Sequence, residues 1–490
     1  MRLLYLCRGD DYSGKNALVN NPQTMITYML QHDPNLFIYW TVPNTASIED
    51  IAGFLARFNR DGIEVADRVK TVPVSMMSQS RLNGYIMSGE IIDNLAQSKT
   101  ELQYDAVCSE MLGLSGVYWT LMANKYGNRN YHVNVPFINM GLWMLTEAQD
   151  KAVPEYSMGE IDFFTESMAT HWGKNLIESQ FIYDQHFKTI NRYYRPAILQ
   201  KIKENTEICT PGINISWIEP IREELLEKRK SRENPNMFWG GRLANQKSPP
   251  DTFEIMENSR KMIGGECIVS TPSPESKAKP YIEKYPDWTF KSKQNVHEFY
   301  NSMTEGDIFV CINKFDTYGI AWWEMLYSGQ IGVFVDNAFS KSFLPDWYPF
   351  RGNQKEVAEW VQVLKKDFPD GKLWNEYLPR IKEWLEEEHD SKKNSVKTLA
   401  HIQRWHDDSI NNTKSGPLTD LAKAAADSLW DGSPIPEQMI WSKMQELSES
   451  GREFGRKGDM MTRMFLRRCI IKAGYKDLCL DEKVLYVRGD

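Results

Sequence analysis

Phe238-Trp239-Gly240-Gly241-Arg242-Leu243-Ala244-Asn245-Gln246-Lys247 is one of two stretches on which the fold turns; the other is Asp316-Thr317-Tyr318-Gly319-Ile320-Ala321-Trp322-Trp323-Glu324. The first is a short apolar strand that ends on two glycines, with Arg242 and Lys247 on the loop that emerges. Glycine lets a backbone approach a ligand closely, and two cations at such a place can neutralise a diphosphate. Taken alone, the stretch fits a surface loop with two solvated cations equally well. The second stretch follows the apolar run Ile308–Ile312 and opens a helix, so the amides around Tyr318–Ile320 form an anion site at a helix N-terminus. Asp316 on the loop and Glu324 in the first turns of the helix can face one ligand from two sides. An N-capping aspartate and a helix-surface glutamate would give the same pattern.

Outward from these stretches the chain alternates short apolar strands with amphipathic helices. Before them lie strands at Leu3–Cys7, Leu36–Thr41, Tyr104–Cys108, Val133–Asn139 and Ile161–Thr165, with helices at Gln23–Gln31 and Ile48–Phe58. Around and after them lie strands at Met237–Trp239, Cys267–Val269, Trp288–Phe290, Ile308–Ile312 and Ile331–Val335, with helices at Asp251–Met262, Val296–Met303 and Ile320–Tyr327. Strands separated by helices imply parallel sheets covered on both faces, with ligands beyond the carboxyl ends of the strands. The charged, proline-interrupted stretch Glu224–Asn236 reads as a linker between two α/β halves. The expected division is an amino-terminal lobe over 1–223, a second lobe over 237–390, a helix returning to the first lobe over 391–415, and an extension over 416–490. Helices near Glu437–Ser448 and Met460–Ala473 and a hairpin around Leu478–Val487 are expected in that extension.

The chain has 490 residues, with 58 Lys and Arg against 66 Asp and Glu, a net charge of -8. That balance argues against a protein coated in positive charge for nucleic acid or anionic membrane, though not against a local basic patch. The seven cysteines are an odd number without a C-x-x-C pair, which suits reduced thiols in a cytoplasm better than a disulfide frame. The apolar start ends at Arg8, too soon for a signal peptide, and no run of apolar residues is long enough for a membrane span. No D-x-D, C-x-x-C or H-E-x-x-H occurs, so the expectation is a metal-independent protein without a cofactor.

In this order the two stretches resemble the retaining, nucleotide-sugar-dependent glycosyltransferases of the glycogen-synthase-like group (glycosyltransferase family 4-like). Their fold is GT-B, two Rossmann-like lobes facing a cleft, here with a small, mainly helical C-terminal appendix. In that family a strand ending in G/S-R-L-x-x-Q-K precedes an element of the form E-x-F-G-x-x-x-x-E-A. Gly241–Lys247 and Asp316–Glu324 match these, and Thr210-Pro211-Gly212-Ile213-Asn214, with Trp217 and Pro220 behind it, stands where the family has its P-N-G-x-D turn between the lobes. The resemblance is clearest over 205–340; the amino-terminal lobe shares only the strand–helix rhythm.

The resemblance implies a transferase that moves a sugar from a nucleotide sugar, UDP-linked by expectation, to an acceptor hydroxyl with retention. It assigns Arg242, Lys247 and Asp316 to catalysis, the two cations on the leaving diphosphate and Asp316 on the sugar hydroxyls. It assigns Gly241, Tyr318, Gly319 and Ile320 to the donor's phosphate and sugar, Glu324 to its ribose, and Gly14, in the weakly matching Ser13-Gly14-Lys15, to the first loop. Two departures stand out. Asp316 replaces the usual glutamate with a shorter carboxylate, and Val135–Trp143 lacks the histidine that the family often places near the anomeric carbon, with His132 and His171 only nearby.

Between Gly451 and Lys476 there are eight basic and two acidic residues, and Arg456, Arg463 and Arg467 would line one side of a helix. Such a face could hold a phosphate backbone, or simply pack on the enzyme body. Phage glycosyltransferases of this general fold decorate hydroxymethylated DNA bases, which must leave the helix to react. Double-stranded DNA is therefore the favoured acceptor partner at this stage. A polysaccharide or surface glycan is the alternative, and a degenerate GT-B scaffold that binds without catalysis is the reading of another class.

Overall fold

The computed structural model describes residues 1–7, 12, 17–74, 76–80, 84–87, 104–110, 136–140, 173–192, 194–244, 247–313, 316, 318–411, 416–447, 466–467, 469–480 and 483–489. Its first part runs β1 (Arg2–Leu6), α1 (Ala17–His32), β2 (Phe37–Pro43), α2 (Ile48–Ala56), β3 (Val69–Val74), the hairpin β4 (Met76–Ser80) and β5 (Gly84–Met87), β6 (Ala106–Glu110), β7 (Phe137–Met140), β8 (Lys174–Ile177), α3 (Gln180–Ile190), α4 (Pro196–Glu204) and β9 (Thr206–Ile208). The expected strand at Ile161–Thr165 lies outside the described residues, as do His132, His171 and Gly14. These strands form a parallel seven-stranded sheet in the order β3-β2-β1-β6-β7-β8-β9.

Side chains of a strand alternate between faces, and the two faces here have different covers. Leu3, Tyr5, Ile38, Trp40, Ala106, Cys108 and Ile138 pack under α1 and α2. Leu4, Leu6, Tyr39, Val107 and Phe137 turn the other way.

The chain then enters α5 (Ile215–Lys230). The charged stretch read as a linker is thus largely the carboxyl-terminal half of a helix. One of its cations is buried rather than solvated, since Arg229 pairs with Asp307 at 2.9 Å, and earlier in the same helix Arg222 donates to the Tyr327 carbonyl at 2.8 Å. After it come β10 (Met237–Gly240), α6 (Pro249–Ile263), β11 (Cys267–Ser270), α7 (Glu275–Lys284), β12 (Thr289–Lys291), α8 (Val296–Met303), β13 (Ile308–Cys311), α9 (Ile320–Tyr327), β14 (Ile331–Val335), α10 (Ala338–Phe343), β15 (Arg351–Gly352), α11 (Gln354–Lys366) and α12 (Lys372–Glu388). Their strands make a second parallel sheet in the order β12-β11-β10-β13-β14-β15, a doubly wound topology whose order reverses between β10 and β13.

α13 (Ser391–Asn411) returns along α1 and places Leu399, Ile402 and Trp405 in the first sheet's core. The chain closes with α14 (Gly416–Leu429), β16 (Ile435–Pro436), α15 (Glu437–Leu447) and the antiparallel hairpin β17 (Tyr475–Leu480) and β18 (Lys483–Arg488). This extension is no free appendage. Ala422, Ala425, Ala426, Ile440, Trp441, Leu466, Ile470 and Tyr486 pack on Leu4, Leu6, Tyr39, Val107 and Phe137, covering the second face of the first sheet.

Arg467, expected on a DNA-facing helix side, is a buried part of that contact. It is 3% exposed, pairs with Asp105 at 2.7 Å and also contacts Asp477. A guanidinium spent on two carboxylates has no charge to offer a phosphate backbone, so the expected DNA contact is corrected for this residue. Arg456 and Arg463 lie outside the described residues. Burial pushes the Asp105 carboxyl up, but Arg467 and a hydrogen bond with His406 outweigh it and hold the group well below the usual carboxylate range. Among the described residues no helix is long and apolar enough to cross a membrane.

Candidate functional site

The reversal of strand order between β10 and β13 opens a crevice at their carboxyl ends. Both diagnostic stretches leave the sheet there: Gly241–Lys247 follows β10, and Asp316–Glu324 follows β13 and enters α9. The loops meet. The Lys247 ammonium contacts the Asp316 carboxylate, and it also lies 4.8 Å from the centre of the Trp322 ring. Burial and then the nearby Arg242 push the Lys247 ammonium down to about 7. Arg242 itself is exposed at the mouth of the crevice. Gly241 takes a φ of 147°, and the Leu243 amide two residues on donates to the Ser273 hydroxyl at 2.9 Å.

Gly319 is the N-cap of α9, at a φ of 75°, and among the described residues no side chain caps that end. A Cβ on it would lie 2.3 Å from the Trp322 ring, so glycine is required twice over, by conformation and by space. The first amides of α9, beginning at Ile320, head the helix beside the Lys247–Asp316 contact. Tyr318, whose amide was expected to face the ligand, also anchors the loop. Its hydroxyl lies 2.6 Å from Nδ1 of His389, its carbonyl accepts from the Trp323 indole at 2.8 Å, and burial raises its hydroxyl well above the ordinary range.

Glu324 sits one helical turn further in and is only 9% exposed. The Tyr300 hydroxyl donates to its carboxylate at 2.7 Å. Burial raises the carboxyl to about 7, against the lowering effect of that hydrogen bond. A buried carboxylate with no cationic partner among the described residues, at the wall of a cleft, is a candidate for meeting a ligand.

Glu324 and Ile320 form one wall of a pocket of about 260 Å³ between the two sheets' helices. The opposite wall comes from α1 and the end of α2 through Asn20, Asn21, Thr24, Arg57 and Arg60, and the floor from Gly212, Ile213, Asn214 and Ser391. That floor is where the chain passes twice between the lobes. The Ile213 amide donates to the His389 carbonyl at 2.7 Å, and the Ser391 amide donates back to the Ile213 carbonyl at 3.0 Å. Gly212, at a φ of 78°, lets the strands touch, since a Cβ would stand 2.6 Å from the Ser391 backbone. Arg242, Lys247 and Asp316 are not among the pocket's lining residues, so the crevice has an open cationic end and an enclosed end at Glu324. Tyr300, His389, Arg60 and Trp217 belong to this neighbourhood without having been singled out as site residues. Only the P-G-I-N turn pointed toward them in the sequence. Among the described residues no group of three or more His, Cys, Asp or Glu side chains could hold a metal ion.

No family model matches the chain, and no curated protein matches it significantly. Solved structures do. The chain is similar to Anabaena HepE in complex with UDP and glucose, at 11% identity over 82% of this chain and 100% of that one, with a TM-score of 0.56. It is similar to sucrose-phosphate synthase from Thermosynechococcus elongatus, at 12% identity over 82% of this chain and 98% of that one, with a TM-score of 0.56. A glycosyltransferase from Rickettsia africae matches at 11% identity over 84% of this chain and 99% of that one, with a TM-score of 0.58. Together with the two parallel sheets, these likenesses show the GT-B fold.

Proposed function

We propose that this protein is a glycosyltransferase that moves a sugar from a nucleotide sugar, UDP-linked as in the HepE complexes, to an acceptor hydroxyl. The observation that carries the reading is the meeting of Lys247, Asp316 and the head of α9 at the switch point of the second sheet, beside the buried carboxylate of Glu324. Glu324 accepts hydrogen bonds from the ribose hydroxyls. Arg242, Lys247 and the amides of Gly319 and Ile320 hold the diphosphate, and Asp316, released from Lys247 by the incoming phosphate, turns to the sugar.

The reaction breaks the bond between the anomeric carbon and the diphosphate oxygen and forms one to the acceptor oxygen. In the retaining course the acceptor attacks on the face from which the diphosphate departs, and its proton passes to the leaving phosphate oxygen. Negative charge grows on the diphosphate as the bond opens, so fixed cations and amides there lower the barrier more than they stabilise the bound donor. Removing one such donor group usually costs about 10²–10³ in rate.

Arg467 favours a carbohydrate hydroxyl as acceptor over a DNA base. Arg467, the described one of the three arginines expected on that face, is consumed in docking the extension on the first lobe. The DNA reading then rests on Arg456 and Arg463, and binding to hydroxymethylated duplex that weakens steeply with salt would restore it. The test of the function itself is release of nucleoside diphosphate from a panel of nucleotide sugars. Activity with one donor, abolished in Arg242→Ala while the fold persists, supports it. Wild-type inertness toward the whole panel, with and without glycan acceptors, would leave a binding scaffold as the better account.

A further inference from the structure

Tyr318 stands where the motif matched by Asp316–Glu324 has phenylalanine, so its hydroxyl is this chain's own addition to the ring. That hydroxyl lies 2.6 Å from Nδ1 of His389, and the Gly212 backbone reaches it as well. Both partners belong to the double crossing between the lobes. His389 caps the carboxyl end of α12, where its amide donates to the Leu385 carbonyl, and its own carbonyl takes the Ile213 amide at 2.7 Å. Two residues on, α13 begins and the chain has left the second lobe.

The His389 ring is fixed on several sides. It stacks on Trp323 with centroids 4.9 Å apart and planes at 25°, lies at 5.7 Å and 29° to the Tyr318 ring, and meets Trp384 edge-on at 5.0 Å. Burial pushes the imidazole down to about 4, so at neutral pH its bond to Tyr318 joins two uncharged groups. At its other end Tyr318 is tied to α9, because its carbonyl accepts from the Trp323 indole at 2.8 Å. Gly319, the N-cap of α9, follows it directly, and Asp316 lies two residues before it. The hydroxyl thus joins the loop that carries Asp316 to the place where any rotation of one lobe against the other has to turn.

We infer that the Tyr318 hydroxyl and His389 form a latch that sets the donor loop to the hinge. They are positioning residues for transfer, acting on how Asp316 and the head of α9 meet the sugar rather than on how tightly the nucleotide binds. The inference rests on the donor reading above. In that reading the side chains of Arg242, Lys247 and Glu324 hold the diphosphate and the ribose, so the nucleotide still binds when the latch is open. Transfer is less tolerant, since a misplacement of about 1 Å can cost about 100-fold in rate.

Tyr318→Phe keeps the ring and removes only the hydroxyl. Affinity for UDP is read by calorimetry and folding by thermal unfolding of each unliganded protein. Release of UDP from UDP-glucose, the ligand of one HepE structure, or from whichever sugar of the panel the wild type prefers, gives kcat and KM. The expected result is a Kd and a KM within about threefold of wild type and a kcat lower by about tenfold or more. Tyr318→Phe combined with His389→Leu should be no slower than the slower single variant, because both remove one bond. A bond that only stabilises the fold would lower Tm and leave kcat alone. An unchanged kcat in the folded variant, a UDP affinity that falls as far as kcat, or losses that multiply in the double variant each overturn the inference and leave the donor reading intact. Should Tyr318→Phe fail to fold, His389→Asn, which keeps a polar atom near the place of Nδ1, is compared with His389→Leu. A kcat about fivefold or more higher in the asparagine variant is then expected, and equal values overturn the inference. A wild type inert toward UDP-glucose and the rest of the panel overturns the donor reading first, and this inference with it.

Discussion

Replacing Glu324 with glutamine should make the protein more stable while removing its use. Burial raises the carboxyl from its ordinary 4.5 to about 7. For a carboxyl whose folded value lies above its unfolded one, folding binds a proton, and stability falls as pH climbs from the unfolded value to the folded one. At 1.36 kcal/mol per pH unit the difference corresponds to about 3 kcal/mol lost by pH 8, an upper figure for a group this close to a cleft. Glutamine keeps an acceptor for the Tyr300 hydroxyl and carries no charge. The gain in Glu324→Gln should therefore be near zero at pH 4.5, grow through pH 5–7 and level off above. If all 490 residues unfold as a unit, about 2.1 cal/mol/K of unfolding entropy per residue turns that gain into roughly 3 °C of Tm at pH 8. Paired thermal scans from pH 4.5 to 8 read it directly. A variant no more stable than wild type at pH 8, or stabilised equally at both ends, would refute the claim that this carboxylate is held against its own solvation.

Asp316→Asn frees the Lys247 ammonium from its contact. The affinity for a nucleoside diphosphate should rise a few-fold, while transfer, which needs the carboxylate on the sugar, should fall at least 100-fold. Titration calorimetry and a coupled diphosphate-release assay separate the two effects. Arg467→Met leaves the Asp105 carboxylate buried beside an apolar chain, and breaking such a pair costs about 3–5 kcal/mol. Urea unfolding should show that loss, lessened as pH falls far enough to protonate Asp105, because a carboxyl held below its ordinary value stabilises the fold only while ionised. Removal of residues 451–490 takes away Leu466, Ile470, Tyr475 and Tyr486 along with Arg467, so it should uncover part of one face of the first sheet and precipitate the protein rather than spare its activity.

The second sheet and its switch-point loops were legible in the sequence because their signals are local. A strand ending on Gly240-Gly241, cations at fixed offsets, and a glycine heading α9 each follow from backbone geometry within a few residues. Strands β10, β11, β13 and β14 fall within a residue of expectation. The first sheet was legible only in part, since β8 and β9 are short and carry Lys174, Asn175, Thr206 and Glu207, too polar for an apolar run. α5 and Arg467 failed for one physical reason: a buried cation looks in sequence like a solvated one until its partner is known, and Asp307 and Asp105 lie far along the chain. Glu324 was assigned by the resemblance, but its burial and Tyr300 partner are tertiary facts.

The most direct measurement is thermal denaturation of the purified protein against nucleoside diphosphates and their sugar conjugates, repeated with Arg242→Ala and Glu324→Ala. A ligand at a hundred times its Kd adds about 2.7 kcal/mol of stability to whatever binds it. The account predicts a clear upward shift with UDP and a UDP-sugar, lost in both variants. An unshifted wild type, or a shift that survives both substitutions, would contradict it.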